Sequence, residues 1–237
     1  MRAPERPALP LRLAATLGRT YGRLTETVAR LSDADFERPT RCEGMAVGPL
    51  LVHLLYDAER ALVAFATLAT VEPDRDFVTY WHDFPGRAHG HRPEPHLRFV
   101  QVVASAYERP SESLVKHWTE LSEAAVRAAA LAAAEPERRV GTQGHVLKIR
   151  DFVATLVFEA TVHHLDLIVD LPDAPEPDPE ALRLTARTLD GLFGPEAWDV
   201  IGWDTRTYVL KATGRLALTP EDVEMLGPYA TRLPLIG

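Results

Sequence analysis

Apolar side chains recur three and four positions apart over most of the first 170 residues. In the first such segment Leu13, Leu17 and Leu24 lie on one face. Because an α-helix has 3.6 residues per turn, this spacing predicts an amphipathic helix. Four segments show this pattern, at about residues 8–31, 47–69, 97–133 and 150–170. The third is interrupted at Pro110. Helices that each bury one face close most economically into a four-helix bundle, so we expect a mainly α fold.

The fourth predicted helix is apolar almost throughout, which is typical of the most buried helix of a bundle. One stripe along it reads Ile149, Phe152, Leu156, Glu159, His163 and Asp166. Burying a carboxylate and an imidazole without partners costs on the order of several kcal/mol, and a metal ion is a usual partner. Glu159 and His163 are four residues apart and lie one turn above the other, so they predict a metal clamp. His164 falls about 140° from Glu159 around the axis and should point elsewhere.

A third ligand is expected from a facing helix. His53 is the only ionisable residue between Glu43 and Asp57 in the second predicted helix. Two histidines and one carboxylate leave open positions on a metal ion, as in catalytic sites. Zinc fits best, while nickel, iron or manganese would also bind such ligands. Each residue alone has a plainer reading: a hydrogen-bonded core histidine for His53, and an ordinary ion pair for Glu159 and His163. Two carboxylates are placed to orient the ligands, those of Asp57 and Asp166.

Residues 71–96 are dense in proline and glycine, which predicts a long loop that acts as a crossover or mobile lid with little to bury. We expect the histidines of this loop to be solvated rather than to form a second metal site; they are His82, His89, His91 and His96. Cys42 lies near a helix start, where a thiol can be activated, but the sequence places no base beside it.

The amino-acid composition of the chain changes after Leu171. Residues 172–179 read as a proline-rich linker, and a short helix is predicted for Glu180–Phe193. Two short strands are predicted for Thr207–Ala212 and Arg215–Leu218. We therefore expect a metal-binding bundle at 1–171 and a small mixed α/β extension at 172–237.

The charge balance restricts the partners. With 26 Lys and Arg against 34 Asp and Glu the formal net charge is -8, which disfavours nucleic acid and anionic membranes because both require a basic face. No long apolar run escapes interruption by charge, and the start lacks the apolar stretch of a signal peptide. One cysteine excludes an internal disulfide and suits a reducing compartment. The expectation is a cytoplasmic protein without membrane contact.

Three stretches carry a resemblance to a known family. They are Leu31-Ser-Asp-Ala-Asp-Phe36, Pro39-Thr-Arg-Cys-Glu-Gly-Met-Ala-Val-Gly-Pro-Leu-Leu-Val-His53 and Glu159-Ala-Thr-Val-His-His-Leu-Asp-Leu167. Together they resemble the mycothiol-dependent maleylpyruvate isomerase family of the DinB-like superfamily, over about residues 8–170. Two positions depart from the family pattern: Met45 stands where tryptophan is usual, and Pro49 where an acidic residue is common.

The resemblance implies a DinB-like bundle whose divalent metal activates a low-molecular-weight thiol, mycothiol, as co-substrate. The thiolate then adds to a small electrophilic substrate, and either leaves again to give cis-trans isomerisation or stays to give S-transfer. It also implies a catalytic arginine near the substrate carboxylates, for which Arg215 is the nearest match and Arg232 the alternative. A monomer or homodimer would suit such an enzyme. Two other readings remain open, a thiol-independent metalloenzyme such as a hydrolase or natural-product tailoring enzyme, and a non-catalytic metal-binding protein.

Overall fold

The computed structural model describes residues 9–84, 94–171, 173–195 and 202–236, and within them a mainly α fold. The helices are α1 (Leu9–Val28), α2 (Val47–Ala66), α3 (Glu94–Ser105), α4 (Ser113–Ala132), α5 (Ile149–Leu167), α6 (Pro179–Phe193), α7 (Thr205–Ala212) and α8 (Pro220–Leu226). Two strands, β1 (Arg139–Thr142) and β2 (His145–Lys148), lie between α4 and α5. The predicted fold class is confirmed.

Helices α1, α2, α4 and α5 form the bundle, in which α1 packs on α4 and α5 while α2 packs on the same two helices from the other side. Leu17 of α1, Leu50 of α2 and Trp118 of α4 are fully buried between them. The interruption predicted at Pro110 is observed, because residues 106–112 separate α4 from α3. Helix α3 packs on α2 as an addition to the bundle. The periodic apolar faces therefore position all four bundle helices.

Helix α5 is the central helix, as its composition predicts. All of its residues except Arg150 and Glu159 are buried. Residues 149–170 are long and apolar enough to cross a membrane by length and composition alone, but 89% of the relevant window is buried inside the protein. Such burial is expected of the core helix of a soluble bundle.

The sequence analysis did not predict the two-stranded sheet. Strands β1 and β2 pair antiparallel from Arg139 opposite Lys148 to Thr142 opposite His145. The two residues of the connecting turn, Gln143 and Gly144, have φ values of 49° and 81°. Positive φ at both central positions is the geometry of a tight hairpin turn. Strand β2 ends at Lys148, directly before α5 begins, and both strands of the hairpin pack on α5.

The two strands predicted beyond the linker are wrong. Thr205–Ala212 form α7, and Arg215–Leu218 are irregular. Asp204 caps the helix, since its side chain accepts a hydrogen bond from the backbone N–H of Thr207. This cap and the packing of α7 on α6 outweigh the β preference of the segment Thr207-Tyr-Val-Leu210. The helix predicted at Glu180–Phe193 is confirmed as α6, which packs on α5 and α1. A domain boundary after Leu171 stays a prediction.

A buried carboxylate ties α8 to α7. Asp222 accepts hydrogen bonds from Trp203 Nε1 at 2.6 Å and from the backbone N–H of Thr219 at 2.7 Å, and it pairs with the ammonium of Lys211. Burial opposes its ionisation, but Lys211 and these hydrogen bonds outweigh the burial and lower the pKa of Asp222 to about 2. The ionised form of Asp222 therefore stabilises the C-terminal segment.

We predict that Asp222→Asn destabilises the protein by about 3 kcal/mol near neutral pH, because Lys211 loses its buried partner. Since the folded pKa lies below the unfolded value near 4, the contribution of Asp222 is present above that value and is lost as the pH falls towards 2. The free energies of unfolding of variant and parent should therefore converge below about pH 4, as urea titrations would show. The exposed neighbour Glu224 provides the control Glu224→Gln, and an equal loss in both variants would contradict the assignment.

Candidate metal centre

The structure brings the three predicted ligands together. His53 comes from α2, and Glu159 and His163 come from successive turns of α5. Glu159 Oε1 lies 3.1 Å from His53 Nε2 and 3.3 Å from His163 Nε2. All three candidate ligand atoms lie within 4.8 Å of one another. Ligands bound at roughly 2.1 Å in a tetrahedral site are about 3.4 Å apart, so this donor set suits a divalent ion such as zinc.

In this cluster the neighbouring charges shift the pKa values more than burial does. Burial alone would raise the pKa of Glu159, but the imidazoles of His163 and His53 outweigh it and hold that pKa well below its usual value. Burial would likewise lower the pKa of His163, yet the carboxylates of Glu159 and Asp166 raise it well above the usual value. Without a metal ion the cluster is therefore a carboxylate beside a protonated imidazole. A bound cation would take the place of that proton.

Each candidate histidine ligand is also held through its other ring nitrogen. His163 Nδ1 lies 2.9 Å from Asp166 Oδ2, and His53 Nδ1 lies 2.9 Å from His96 Nε2. Contacts of this kind fix the ring orientation and the tautomer of metal-binding histidines. Both Nε2 atoms are consequently directed at Glu159. The other expected orienting group, Asp57, lies with Oδ2 3.3 Å from His53 Nε2, on the same side as Glu159.

His96 corrects the expectation for the loop histidines. It lies on α3, is only partly exposed, and contacts the ring of His53 edge-on at 5.1 Å between centroids. Burial lowers its pKa, which favours a neutral ring that can accept a hydrogen bond from His53. His82 is exposed as expected, whereas His89 and His91 lie outside the described residues. The sequence placed His96 in a breaker-rich stretch and so gave no sign of this contact.

The expectation of a loop with little to bury is wrong for the described part of residues 71–96. A 3₁₀ turn at Thr79–Asp83 brings Tyr80 and Trp81 into the interior, and each is 6% exposed. The ring of Trp81 packs against Phe158 of α5 at 4.3 Å between centroids. Residues 85–93 of the expected lid lie outside the described residues. Tyr80, Trp81 and Phe84 of the described part therefore supply a wall of the site.

His164 points away from the cluster, as the helical geometry predicts. Its Nε2 lies 3.3 Å from Thr27 Oγ1 of α1, and the side chain is fully buried. Burial lowers the pKa of His164 to about 4, so the ring is neutral at physiological pH. His164 is thus a core residue, although it is adjacent to a candidate ligand.

Arg215 lies behind the candidate ligands. Its guanidinium donates to both carboxylate oxygens of Asp166, with the Nε atom 3.1 Å from Oδ1. Its side chain is only 12% exposed, and it is not among the described residues that line the cavity next to the cluster. The chain Arg215–Asp166–His163 makes Arg215 a positioning residue in this structure. Contact with substrate carboxylates stays a prediction, and Arg232 instead lies over the ring of Phe193.

Cys42 lies beside His163 and is not among the described residues that line the cavity. Its sulfur is within 4.8 Å of ligand atoms of His163 and Asp166. Burial raises the pKa of the thiol, so the activated thiolate that was considered for Cys42 is disfavoured. Arg41 donates to the carbonyl of Leu165 and fixes this loop on the end of α5.

A cavity of about 340 Å³ opens beside the cluster. His53, Asp57, His96 and Glu159 form its polar end. Its other walls are largely aromatic, and they include Tyr21, Tyr80, Trp81, Phe84 and Phe152. The hairpin turn contributes Thr142 and Gln143. A small organic molecule can therefore approach Glu159 and His53 through an enclosed, mainly apolar space.

Fold and site together define a helical bundle of the DinB-like type in which His53 and Glu159 line a small cavity and His163 lies beside Glu159. A family model described as the mycothiol maleylpyruvate isomerase N-terminal domain matches residues 17–168. The chain belongs to this family, and the resemblance noted in its sequence is confirmed. No curated protein and no solved structure matches it. The matched region contains His53, Glu159 and His163, while Arg215 lies beyond it.

We predict that Arg215→Gln lowers the free energy of unfolding by about 3 kcal/mol, because Asp166 would remain buried with His163 as its only charged partner among the described residues. Urea unfolding of the metal-free protein measures this effect. The matched control is Arg183→Gln, whose exposed pair with Glu180 should contribute less than about 1 kcal/mol. Equal and small effects of the two substitutions would show that the Arg215–Asp166 pair does not stabilise the site.

Proposed function

We propose that this protein is an enzyme that holds one divalent metal ion, zinc in the first place, through His53, Glu159 and His163. We propose further that it activates a low-molecular-weight thiol, mycothiol, for reaction with a small electrophile. The observation that carries the proposal is the convergence of three donor atoms within 4.8 Å, two of them on residues that line a cavity, His53 and Glu159. Membership of the mycothiol maleylpyruvate isomerase family supports the choice of thiol.

We assign a different role to each group of residues around the cluster. A divalent ion lowers the pKa of a thiol that it binds, so that a thiolate is present at neutral pH. His53 and His163 offer Nε2 and are kept in place by His96 and Asp166. Because the described protein ligands number three, room remains for the sulfur. Asp57 Oδ2, which is buried without a hydrogen-bond partner, lies next to this room and can accept a hydrogen bond there.

The size and lining of the cavity limit which substrates can reach the thiolate. Its volume of about 340 Å³ and its aromatic walls suit a small, largely planar electrophile rather than a polymer. Addition of the thiolate followed by its departure gives cis-trans isomerisation. If the thiolate stays on the substrate, the outcome is S-transfer. Both outcomes use the same cluster and the same cavity.

A second candidate is a thiol-independent metalloenzyme on the same bundle. Asp57 favours it, because an unpartnered carboxylate oxygen 3.3 Å from His53 Nε2 would also orient an attacking water molecule. A hydrolase or tailoring enzyme would use such a water. A non-catalytic metal-binding protein is the remaining alternative, and it would require a site closed to further ligands.

Purified protein should carry about one divalent ion per chain, and His53→Ala should lose most of it because a three-ligand site becomes a weak chelate. Elemental analysis after gel filtration measures the content. The exposed His82 provides the control His82→Ala, which should keep the parent's metal. Undiminished metal in His53→Ala would reject the ligand assignment.

With cobalt(II) in the site, a thiol that binds the ion should add an intense near-ultraviolet charge-transfer band, which oxygen and nitrogen ligands do not produce. We expect mycothiol to give this band at lower concentration than a simple thiol, since its sugar groups gain additional contacts. In His163→Ala the band should be absent.

An unchanged cobalt spectrum at saturating mycothiol, with the metal still bound, would reject thiol activation. The thiol-independent metalloenzyme would then become the leading candidate.

A further inference from the structure

Tyr21 of α1 has a hydroxyl group that the proposed function leaves unused. The side chain is 3% exposed and forms part of the cavity wall. Among the described residues none forms a hydrogen bond with this hydroxyl, although buried hydroxyl groups normally have a partner. A donor that belongs to a buried side chain in the wall of a small-molecule cavity, and that no hydrogen bond within the described protein uses, is expected to bind the molecule that enters the cavity.

The ring of Tyr21 is held firmly by the core. It meets the fully buried Trp118 edge-on, with 5.2 Å between ring centroids. The indole of Trp118 in turn donates to Thr25 Oγ1 at 2.9 Å, one helical turn after Tyr21 on α1. The hydroxyl is thus presented on a rigid helix by a fixed ring, which is the arrangement that makes a hydrogen-bond donor effective in catalysis.

We propose that Tyr21 is a catalytic residue that donates its hydroxyl hydrogen to the carbonyl oxygen of a conjugated, unsaturated carbonyl substrate. This inference rests on the proposed thiol activation and adds a catalytic residue to it. The donor would act where negative charge develops during the reaction. Tyr21 is not one of the three candidate metal ligands, and the sequence analysis assigned it no functional role.

The reaction balances with this assignment. The thiolate sulfur forms a bond to the β-carbon, and the carbon–carbon π pair moves so that the carbonyl oxygen becomes an enolate oxygen. The hydroxyl of Tyr21 stabilises this oxygen by hydrogen bonding and keeps its own proton. For isomerisation the adduct rotates about the former double bond and expels the thiolate, with no net change of atoms. For S-transfer the proton that the thiol lost returns to the α-carbon.

Tyr21 is suited to donate and unsuited to act as a base. Burial, together with the negative charges of Asp57 and Glu159, raises the pKa of its phenol far above the usual value. The ring therefore stays protonated over the whole physiological range. A neutral donor in an apolar wall interacts more strongly with a developing oxyanion than it would in water.

Two further cavity residues favour a planar carbonyl compound. Trp81 Nε1 and Thr142 Oγ1 are buried and have no hydrogen-bond partner among the described residues. They leave additional polar atoms in a wall that is otherwise mainly aromatic. Conjugated compounds pack well between aromatic rings. The cavity thus combines flat apolar surfaces with isolated hydrogen-bonding groups.

The test uses the zinc-loaded full chain, mycothiol and two probe electrophiles. Dimethyl maleate is a conjugated ester whose isomerisation to the fumarate passes through an enolate, whereas benzyl chloride alkylates a thiolate with loss of chloride and without forming an enolate oxyanion. In Tyr21→Phe we expect kcat/KM for dimethyl maleate, followed by proton NMR, to fall about 100-fold. The rate with benzyl chloride should stay within about twofold of the parent, because no oxyanion needs the donor.

Structural effects are separated by two further measurements. Tyr21→Phe keeps the ring against Trp118 and removes a hydroxyl without a partner, so its melting temperature should be unchanged or higher. Its cobalt–mycothiol band should equal that of the parent. Tyr56 does not line the cavity, and Tyr56→Phe serves as the control with parent-like rates on both probes.

Each outcome has one meaning. Equal losses on both probes, or no loss on dimethyl maleate, would overturn the role of Tyr21. Failure of the parent itself to isomerise dimethyl maleate while the cobalt–thiolate band forms would overturn the conjugated-carbonyl substrate class. Absence of that band in the parent would instead overturn the proposed thiol activation.

Discussion

Glu159 is a carboxylate on a helix whose other residues are buried, apart from Arg150. Such a charge is tolerated only when partners compensate its loss of water, and the surrounding elements are arranged to provide them. Helix α2 brings His53, the next turn of α5 brings His163, and the opposite charge lowers the free energy of the carboxylate. A divalent ion would provide stronger compensation than the protonated imidazole does. This arrangement supports the proposed metal site, since packing alone gives no reason for Glu159 at this position.

The buried charges of the cluster are also balanced by a residue of the C-terminal segment. Asp166 is fully buried and balances His163 on one side and Arg215 on the other. Arg215 follows α7, and it also donates to the carbonyl of Thr213 at the end of that helix. The family match ends at residue 168, yet the cation that neutralises Asp166 comes from beyond it. The last third of the chain thus contributes to the orientation of a candidate ligand without lining the cavity.

Periodicity was sufficient to predict the bundle and the shared face of Glu159 and His163, because helical geometry fixes which side chains of one helix lie together. His53 was predicted as their partner from its position as an ionisable residue in an otherwise apolar facing helix. It failed where contacts distant in sequence decide the structure. The segment at 207–210 favours a strand locally, but the Asp204 cap and packing on α6 make it helical. His96 joins the site through the position of α3 on α2, which no local pattern encodes. Tyr21 was visible only as one apolar position in the first helix, since its ring packs as any core aromatic would.

Unpartnered polar atoms in the interior cost free energy, and evolution retains them where function requires them. Six side-chain atoms of this kind occur in the described part of the chain, and three of them belong to residues that line the same cavity, namely Asp57 Oδ2, Trp81 Nε1 and Thr142 Oγ1. They come from α2, from the 3₁₀ turn and from the hairpin, so no single local irregularity accounts for them. A cavity evolved only for packing would have replaced them with apolar groups of similar size. Their grouping around one cavity supports the proposal that a partly polar ligand binds there.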